Sequence, residues 1–345
     1  MFSNQSAELN LNCPSRTLES VPDDDTGEPS WVTASCSLHG SNYLRRIQFH
    51  TEANELGIAA EYDIDEPVRC IAALDQTKIA VATEQGSSAQ MFQMREESST
   101  LERRETFLPE SGFGANLVDM SYNRSMQQLL LLDSTGHLSQ WDVNSSSSLQ
   151  AIDTDTSSSP PSRFRSVAWD PHSEGTAVAV SSGRTVSFLD WREDTSIPTG
   201  IAPSLTSNLS NVTAIDYNPN KPHVLLTGLN NGTVKFWDLR RIRRPLLTLT
   251  GGHSFGVRVA TFNPCHDALC LTAGASTTNL WLVHNISSAP LTYSRNQRAV
   301  QHASASDVSC ASWSSSDAWM YLTSAWDGKL ELHHVPSREK YKILL

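Results

Sequence analysis

Residues 251 to 264 read GGHSFGVRVATFNP, and Gly252-His253-Ser254-Phe255-Gly256 within them has the G-x-S-x-G spacing that seats a nucleophilic serine. A serine used in that way sits between a strand and a helix, with a histidine and an acid presented from the same sheet. The next residues are VRVATFNP, an alternating strand closed by an Asn-Pro corner, so Ser254 reads as a loop residue ahead of a strand. His333 and His334 are adjacent on a predicted strand and point to opposite faces, which keeps them from closing on one metal ion. One is expected to pack between sheets and the other to meet solvent. Asp170, Asp216 and Asp327 stand singly in corners and turns, not as the facing carboxylate pair that glycoside chemistry needs. The six cysteines (Cys13, Cys36, Cys70, Cys265, Cys270 and Cys310) form no C-x-x-C pair and are expected to be buried, reduced thiols. The residues therefore predict no enzyme, no catalytic group, no metal site and no cofactor.

Bulk charge narrows the partners. The 345 residues carry a net charge of −11, which repels a phosphate backbone and argues against nucleic acid. The first residues, MFSNQSAELNLNCPS, lack the basic and apolar regions of a secretory signal, and no stretch approaches the ~20 apolar residues of a membrane helix. The expectation is a soluble, non-secreted, cytoplasmic chain.

A repeat runs through the chain. VLLTGLNNGTVKFWDLR, 224 to 240, is an apolar strand, an Asn-Asn-Gly turn with the positive φ of a tight hairpin, and a second strand ending in Trp-Asp. The same unit recurs at 129–143, 177–192 and 269–283, less clearly at 79–94 and 321–335, and faintly at 31–49. The residues in the Trp position are Ile47, Phe92, Trp141, Leu189, Trp237, Trp281 and His333, separated by 45, 49, 48, 48, 44 and 52 residues. Seven strand-and-turn units of nearly constant period predict a single all-β domain over 1–345, a seven-bladed β-propeller of WD40 type. Its repeats end near 49, 94, 143, 192, 240, 284 and 335. Each unit follows another strand that stops at a polar corner, as in FRSVAWDPH and VTAIDYNPN, and this corner is read as structural. The last repeat offers three strands, and the segment at 7–12 is predicted to supply the fourth by pairing with 329–335. Polar stretches at 19–30, 95–105, 144–163 and 284–306 read as long loops, that at 144–163 enclosing a short strand; no helix is expected in the body.

Within such a repeat a Gly-His histidine joins a buried relay with a hydroxyl and the Trp, for which the sixth unit offers His253, Thr272 and Trp281, with Thr277 or Thr278 in the place of the usual Asp. The structural Trp-Asp pair is Trp237 and Asp238, and Trp141 holds the same place in the third unit. The surface candidates are different residues. Leu189-Asp190-Trp191-Arg192 is followed one unit later by Trp237-Asp238-Leu239-Arg240, the second copy matching W-D-x-R; such motifs in successive repeats resemble those of substrate receptors of cullin-4 ubiquitin ligases. LRRIRRP, 239 to 245, sets Arg240, Arg241, Arg243 and Arg244 on an acidic protein, a patch suited to acidic peptide or phosphoinositide headgroups. Trp326, in the last hairpin turn, and Tyr341 and Leu344, in an apolar C-terminal stretch, complete the candidate partner contacts.

The C-terminal stretch is the most specific of all. DVSCASWSSSDAWMYLTSAWDGKLELHHVPSREKYKILL resembles the ending of the WD-repeat proteins that interact with the EARP and GARP tethering complexes. The matching residues are Trp313, Ser314, Ser315, Asp317 and Trp319, then Ser324, Asp327, Gly328 and Leu330, then Val335, Pro336, Lys340, Tyr341, Ile343, Leu344 and Leu345. DYNPNKP and GTVKFWDLR in the fifth repeat agree as well, while Leu189 stands where that family has Trp. The resemblance implies a non-enzymatic, monomeric scaffold within a larger assembly, bound to tethering-complex subunits at endosomes and the trans-Golgi network, supporting endosomal recycling and retrograde transport.

Overall fold

The computed structural model describes residues 6–22, 27–95, 100–110, 115–154, 165–192, 205–206, 210–283, 298–303 and 307–344. They form seven four-stranded antiparallel sheets, the blades of a propeller. The fifth blade shows how sequence makes one. Val212–Tyr217 is the inner strand, Val224–Leu229 the second, Val234–Asp238 the third and Leu247–Leu249 the outer. The hairpin between second and third closes on Leu229, whose carbonyl accepts the Gly232 N–H at 3.0 Å. The positive φ of this turn is confined to Gly232, at +79°. A Cβ there would lie 2.6 Å from the His253 carbonyl, so the next blade approaches too closely for any other residue.

The repeat seen in the sequence is a repeat of register. Trp237 lies opposite Leu225, Trp281 opposite Cys270, Trp141 opposite Leu129, and Ile47 opposite Trp31, in each case the second residue of the second strand. Phe92, Leu189 and His333 hold the same place opposite Ile79, Val178 and Tyr321. All seven are buried. The core is accordingly divided among blade interfaces. Leu226, Phe236, Leu249, Phe262 and Trp281 join blades five and six, and Leu18, Trp31, Ile47, Leu322 and Leu332 join blade seven to blade one. Each buried leucine contributes about 1.5–3 kcal/mol relative to exposure, so an interface of several such residues locks its two blades together.

The ring closes as the sequence predicts. Ala7–Asn10 is the outer strand of blade seven, with Ala7 opposite Leu332 and Leu9 opposite Leu330. Blade seven is thus built from both ends of the chain.

The polar corners are side-chain turns. Asn218 Oδ1 accepts the N–H groups of Asn220 and Lys221, Asn263 Oδ1 those of Cys265 and His266, and Asp317 Oδ1 that of Trp319. The corners are structural because these carboxylates and amides satisfy backbone groups that the strand end leaves open.

Several loop assignments are corrected. Thr100–Phe107 and Arg298–Ala303, inside the polar stretches 95–105 and 284–306, are the outer strands of blades two and six. Thr100–Phe107 faces solvent along most of its length, so its polar sequence carries no alternating signal, and its ladder with Ala89–Arg95 is what defines it. The stretch 19–30 is shorter as a loop than its composition suggests, because the inner strand Ser15–Ser20 and the second strand Ser30–Ser35 run into its two ends. Ser147–Asp153 is the strand expected within 144–163. Residues 23–26, 96–99, 155–163, 284–297 and 304–306 of these stretches lie outside the described residues. A helix, α1 (Ser337–Leu344), also follows the last blade, where the sequence suggests only an apolar tail. His334 is half-buried against Phe49, at 6.0 Å between ring centroids, and is not the solvated member of the histidine pair. The cysteines are free, Cys265 exposed and the others at least half-buried.

Candidate functional site

Inner and third strands run one way and second and outer strands the other, so the loops sort to two ends of the ring. The second-to-third hairpins and the links between blades lie at one end; the corners and the links from third to outer strands lie at the other. Trp326, in the Met320–Ala325 to Lys329–His334 hairpin, belongs to the hairpin end. Arg192, Arg240 to Arg244, Tyr341 and Leu344 all follow third strands and belong to the corner end.

At the corner end the two Asp-x-Arg motifs adopt one geometry on adjacent blades. Asp238 Oδ1 accepts the backbone N–H of Arg240 at 3.0 Å, and the guanidinium returns to grip both carboxylate oxygens, at 2.9 and 2.8 Å. Arg192 does the same to Asp190, with a backbone contact of 3.0 Å and side-chain contacts of 3.0, 3.2 and 2.5 Å. These grips hold both carboxyls below the ordinary aspartate range. Each arginine is consequently a pre-formed, outward-facing guanidinium, its side chain 65–71% exposed. Arg241, Arg243 and Arg244 are exposed around Ile242, which packs beside Trp237 and Ile215 in the core between blades four and five. Ile242 pins the loop, and the arginines ride on it.

The helix α1 docks on the same end. Ile343 packs against the core between blades six and seven, Lys340 Nζ lies 5.4 Å from the Trp319 ring centroid, and buried Glu339 accepts Lys342 Nζ at 2.7 Å. Tyr341 and Leu344 point away, 63% and 65% exposed. Leu345 lies outside the described residues.

The relay residues come together in blade six. His253 Nε2 meets Thr272 Oγ1 at 2.8 Å, Trp281 Nε1 donates to the same oxygen at 2.7 Å, and His253 Nδ1 meets Thr277 Oγ1 at 2.9 Å. Thr277 thus takes the place of the usual aspartate, and the relay joins the loop before blade six to its second and third strands. Blade five keeps half of it, Trp237 Nε1 donating to Thr227 at 2.9 Å, whereas Trp141 turns to Ser139 on its own strand. In blade seven His333 Nε2 reaches Thr323 at 3.3 Å, so the histidine substitutes for the Trp. Ser254 is exposed and is followed by the strand Val257–Phe262.

What the sequence did not reveal is the mouth of the central channel at the hairpin end. A cavity of about 630 Å³ there is lined by the inner strands of all seven blades and includes Arg16, Arg69, Arg165 and Arg258. Arg16, Arg69 and Arg258 are each the second residue of an inner strand and the residue at which the ladder slips, between Ser15 and Thr17, Val68 and Cys70, and Val257 and Val259. A bulge re-aims the extra side chain, here into the channel. Arg16 and Arg69 share Glu84, at 2.8 and 3.2 Å, and Arg258 reaches the Val308 carbonyl at 2.7 Å and Asp307 at 3.4 Å. The Trp326 ring lies between Arg16 and Arg258, each guanidinium carbon 5.9 Å from its centroid. The only sequence signal was a Val-Arg step recurring at 68–69 and 257–258 at the start of inner strands. Among the described residues no three His, Cys, Asp or Glu side chains come together as metal ligands, and no helix is long and apolar enough to cross a membrane.

Comparison with known proteins bears on what these faces serve. A family model described as EIPR1 beta-propeller matches residues 4–281, and a WD domain, G-beta repeat, model matches 295–334. "EARP and GARP complex-interacting protein 1" of Homo sapiens is 30% identical over 236 residues, 61% of this chain and 59% of that protein. "EARP-interacting protein homolog" of Gekko japonicus is 30% identical over 235 residues, covering 61% and 59%, and "EARP-interacting protein 1" of Caenorhabditis elegans is 28% identical over 199, covering 52% and 53%. The matched part of the chain spans about 59% of the length of the first of these relatives.

Proposed function

The chain belongs to the EIPR1 beta-propeller family, and from that premise we propose that it is a non-enzymatic scaffold that binds multisubunit tethering complexes of the EARP and GARP kind. The observation that carries this reading is the family match over 4–281. The names of the relatives supply the partner class. The finer role follows from that partner: the chain supports endosomal recycling and endosome-to-Golgi retrograde transport, cytoplasmic and peripheral at endosomes and the trans-Golgi network, reaching membranes only through the tether. It acts as one rigid domain over 1–345, a monomer within the larger assembly. The geometry suits the role. A closed ring presents loops at two ends without disturbing its core, so separate partners can be held at once. The exposed Tyr341 and Leu344 on the docked helix form the apolar centre of one such contact, with Arg240, Arg241, Arg243 and Arg244 on the same end.

One observation favours a second reading, a cullin-4 substrate receptor: Arg192 and Arg240 present matching guanidiniums on adjacent blades. Affinity purification of the full chain from cells separates the two. Recovery of tether subunits, reduced on combining Tyr341→Ala with Leu344→Ala, is expected. Recovery instead of ligase-adaptor and cullin subunits, lost when Arg192 and Arg240 are both changed to alanine, would replace the first reading by the second. Flotation with phosphoinositide vesicles that depends on Arg241 and Arg243, in the absence of any protein partner, would show direct rather than indirect membrane attachment.

A further inference from the structure

We infer that the loop following the third strand of blade five is a recognition site for a phosphorylated segment of a protein partner, held by the guanidiniums of Arg241, Arg243 and Arg244.

This loop is an island of positive charge on an acidic chain. The net charge over 345 residues is −11, yet blade five, from Val212 to Leu249, carries six lysines and arginines against two carboxylates, Asp216 and Asp238. Neither carboxylate is available to the loop tip. Asp216 accepts the Phe262 N–H of the next blade at 2.7 Å, and Asp238 is buried and gripped by Arg240. On the neighbouring corner Lys221 is matched to Asp267 at 2.6 Å. Among the described residues no carboxylate pairs with Arg241, Arg243 or Arg244, and all three are exposed. Uncompensated cations on an acidic body draw negative charge to one place.

The loop is also held still. Asp238 Oδ1 fixes the Arg240 N–H, the Arg241 N–H donates to the Asp238 carbonyl at 2.8 Å, and Ile242 is seated beside Trp237. Buried Leu246 ends the loop by donating its N–H to the Phe236 carbonyl at 2.7 Å. Consecutive Cα atoms lie about 3.8 Å apart, so the three free arginines leave a stretch of backbone shorter than about 12 Å. A site whose backbone is fixed before its ligand arrives loses little freedom on binding.

Elsewhere the chain shows how its arginines take up a carboxylate. One guanidinium occupies both oxygens of Asp190, another those of Asp238, and two share Glu84. Three free guanidiniums on one loop exceed what one carboxylate occupies. They match a phosphate monoester, with three acceptor oxygens and a charge of about −1.5 to −2 at neutral pH. The loop uses arginine throughout and no lysine, which suits forked phosphate contacts better than diffuse attraction. A lipid headgroup offers the same phosphate chemistry, but among the described residues of blades four and five no large apolar side chain is exposed to enter a bilayer. An anionic leaflet and a nucleic acid strand both repel the acidic body around the loop. A phosphorylated protein segment, small enough to meet the loop alone, is the favoured occupant. Only in taking that occupant to be a protein does the site rest on the scaffold reading.

The purified full chain is titrated into a fluorescein-labelled glycine-serine peptide with one phosphoserine, beside the unphosphorylated peptide and one with glutamate at that position. Fluorescence anisotropy should show saturable binding of the phosphopeptide, at least about tenfold tighter than of either control and weakening as salt is raised. Changing Arg241, Arg243 and Arg244 together to lysine keeps the charge and removes the forks, and should cost at least about tenfold in affinity. Because these side chains are exposed, the melting temperature should stay where it is, which separates loss of the site from loss of the fold. Arg16→Gln, at the opposite end of the ring, should leave binding intact. Equal affinity for the glutamate peptide, undiminished binding by the lysine variant, dependence on Arg16, or absence of saturable binding would each overturn the inference. So would tighter binding to vesicles of phosphatidylcholine with phosphatidylinositol 4-phosphate than to the phosphopeptide. No tether subunit enters the measurement, so a chain that fails here and still recovers tether subunits from cells loses the phosphate site and keeps the scaffold role.

Discussion

Thr272 Oγ1 serves both His253 and Trp281, and both of those residues are buried. Replacing it by the near-isosteric valine leaves two buried polar groups without their shared partner, at about 1–3 kcal/mol. Thr272→Val is therefore expected to lower the melting temperature by about 1–4 °C, measured by circular dichroism, whereas the exposed Ser254→Ala should leave it unchanged. A second residue sets a pH dependence. Burial pushes the Asp216 carboxyl up from an ordinary 3.8 to about 7, against the opposing pull of the Phe262 and Tyr217 backbone N–H groups. The folded state then holds this proton more tightly than the unfolded chain does. The stability it contributes is complete below about pH 4 and is lost as pH rises through about 7. Asp216→Asn should accordingly stabilise the chain at pH 8 relative to wild type and should make the difference between them shrink towards pH 4. Of these residues the relay was legible, because Gly252-His253, Thr272 and Trp281 fall at repeat positions. The channel arginines were not. They occur one to a blade, and only the bulges and the closing of the ring bring them together.

Elements differ in how openly they are written. Second and third strands are apolar or strictly alternating and joined by glycine turns, so their sequence repeats visibly, and even Ile47 and His333 could be placed in the Trp column. Outer strands are another matter. Thr100–Phe107 has six polar or charged residues in eight and only Phe107 fully buried, so it is a strand through its neighbour alone. The helix α1 was hidden for a related reason: eight residues with a single strong core contact, Ile343, give too short a period to read. The outer strand Ala7–Asn10 carries the most testable consequence at this scale. It covers the edge of Lys329–His334 and, with the residue after it, brings Ala7 and Leu11 into the core shared by blades seven and one. Deleting residues 1–14 is expected to lower the melting temperature by about 5–10 °C or more, since a strand ladder and several apolar contacts go together. An unchanged midpoint would mean that the pairing contributes nothing to stability.

Across the whole molecule, each blade shares its core with both neighbours, and no blade has an interior of its own. Unfolding by denaturant should therefore proceed in one transition, with tryptophan fluorescence and far-ultraviolet circular dichroism giving the same midpoint; two separated midpoints would show that some blades melt apart from the rest. The same sharing keeps the two ends of the ring rigid relative to each other. Closure through Ala7–Asn10 has a consequence for biosynthesis as well. That strand cannot find its permanent neighbour until the repeat that ends in Lys329–His334 has been translated. Until Lys329–His334 has been made the partial ring keeps an open sheet edge, and a chain that stops short of this strand stays open and aggregation-prone in place of being slightly shortened.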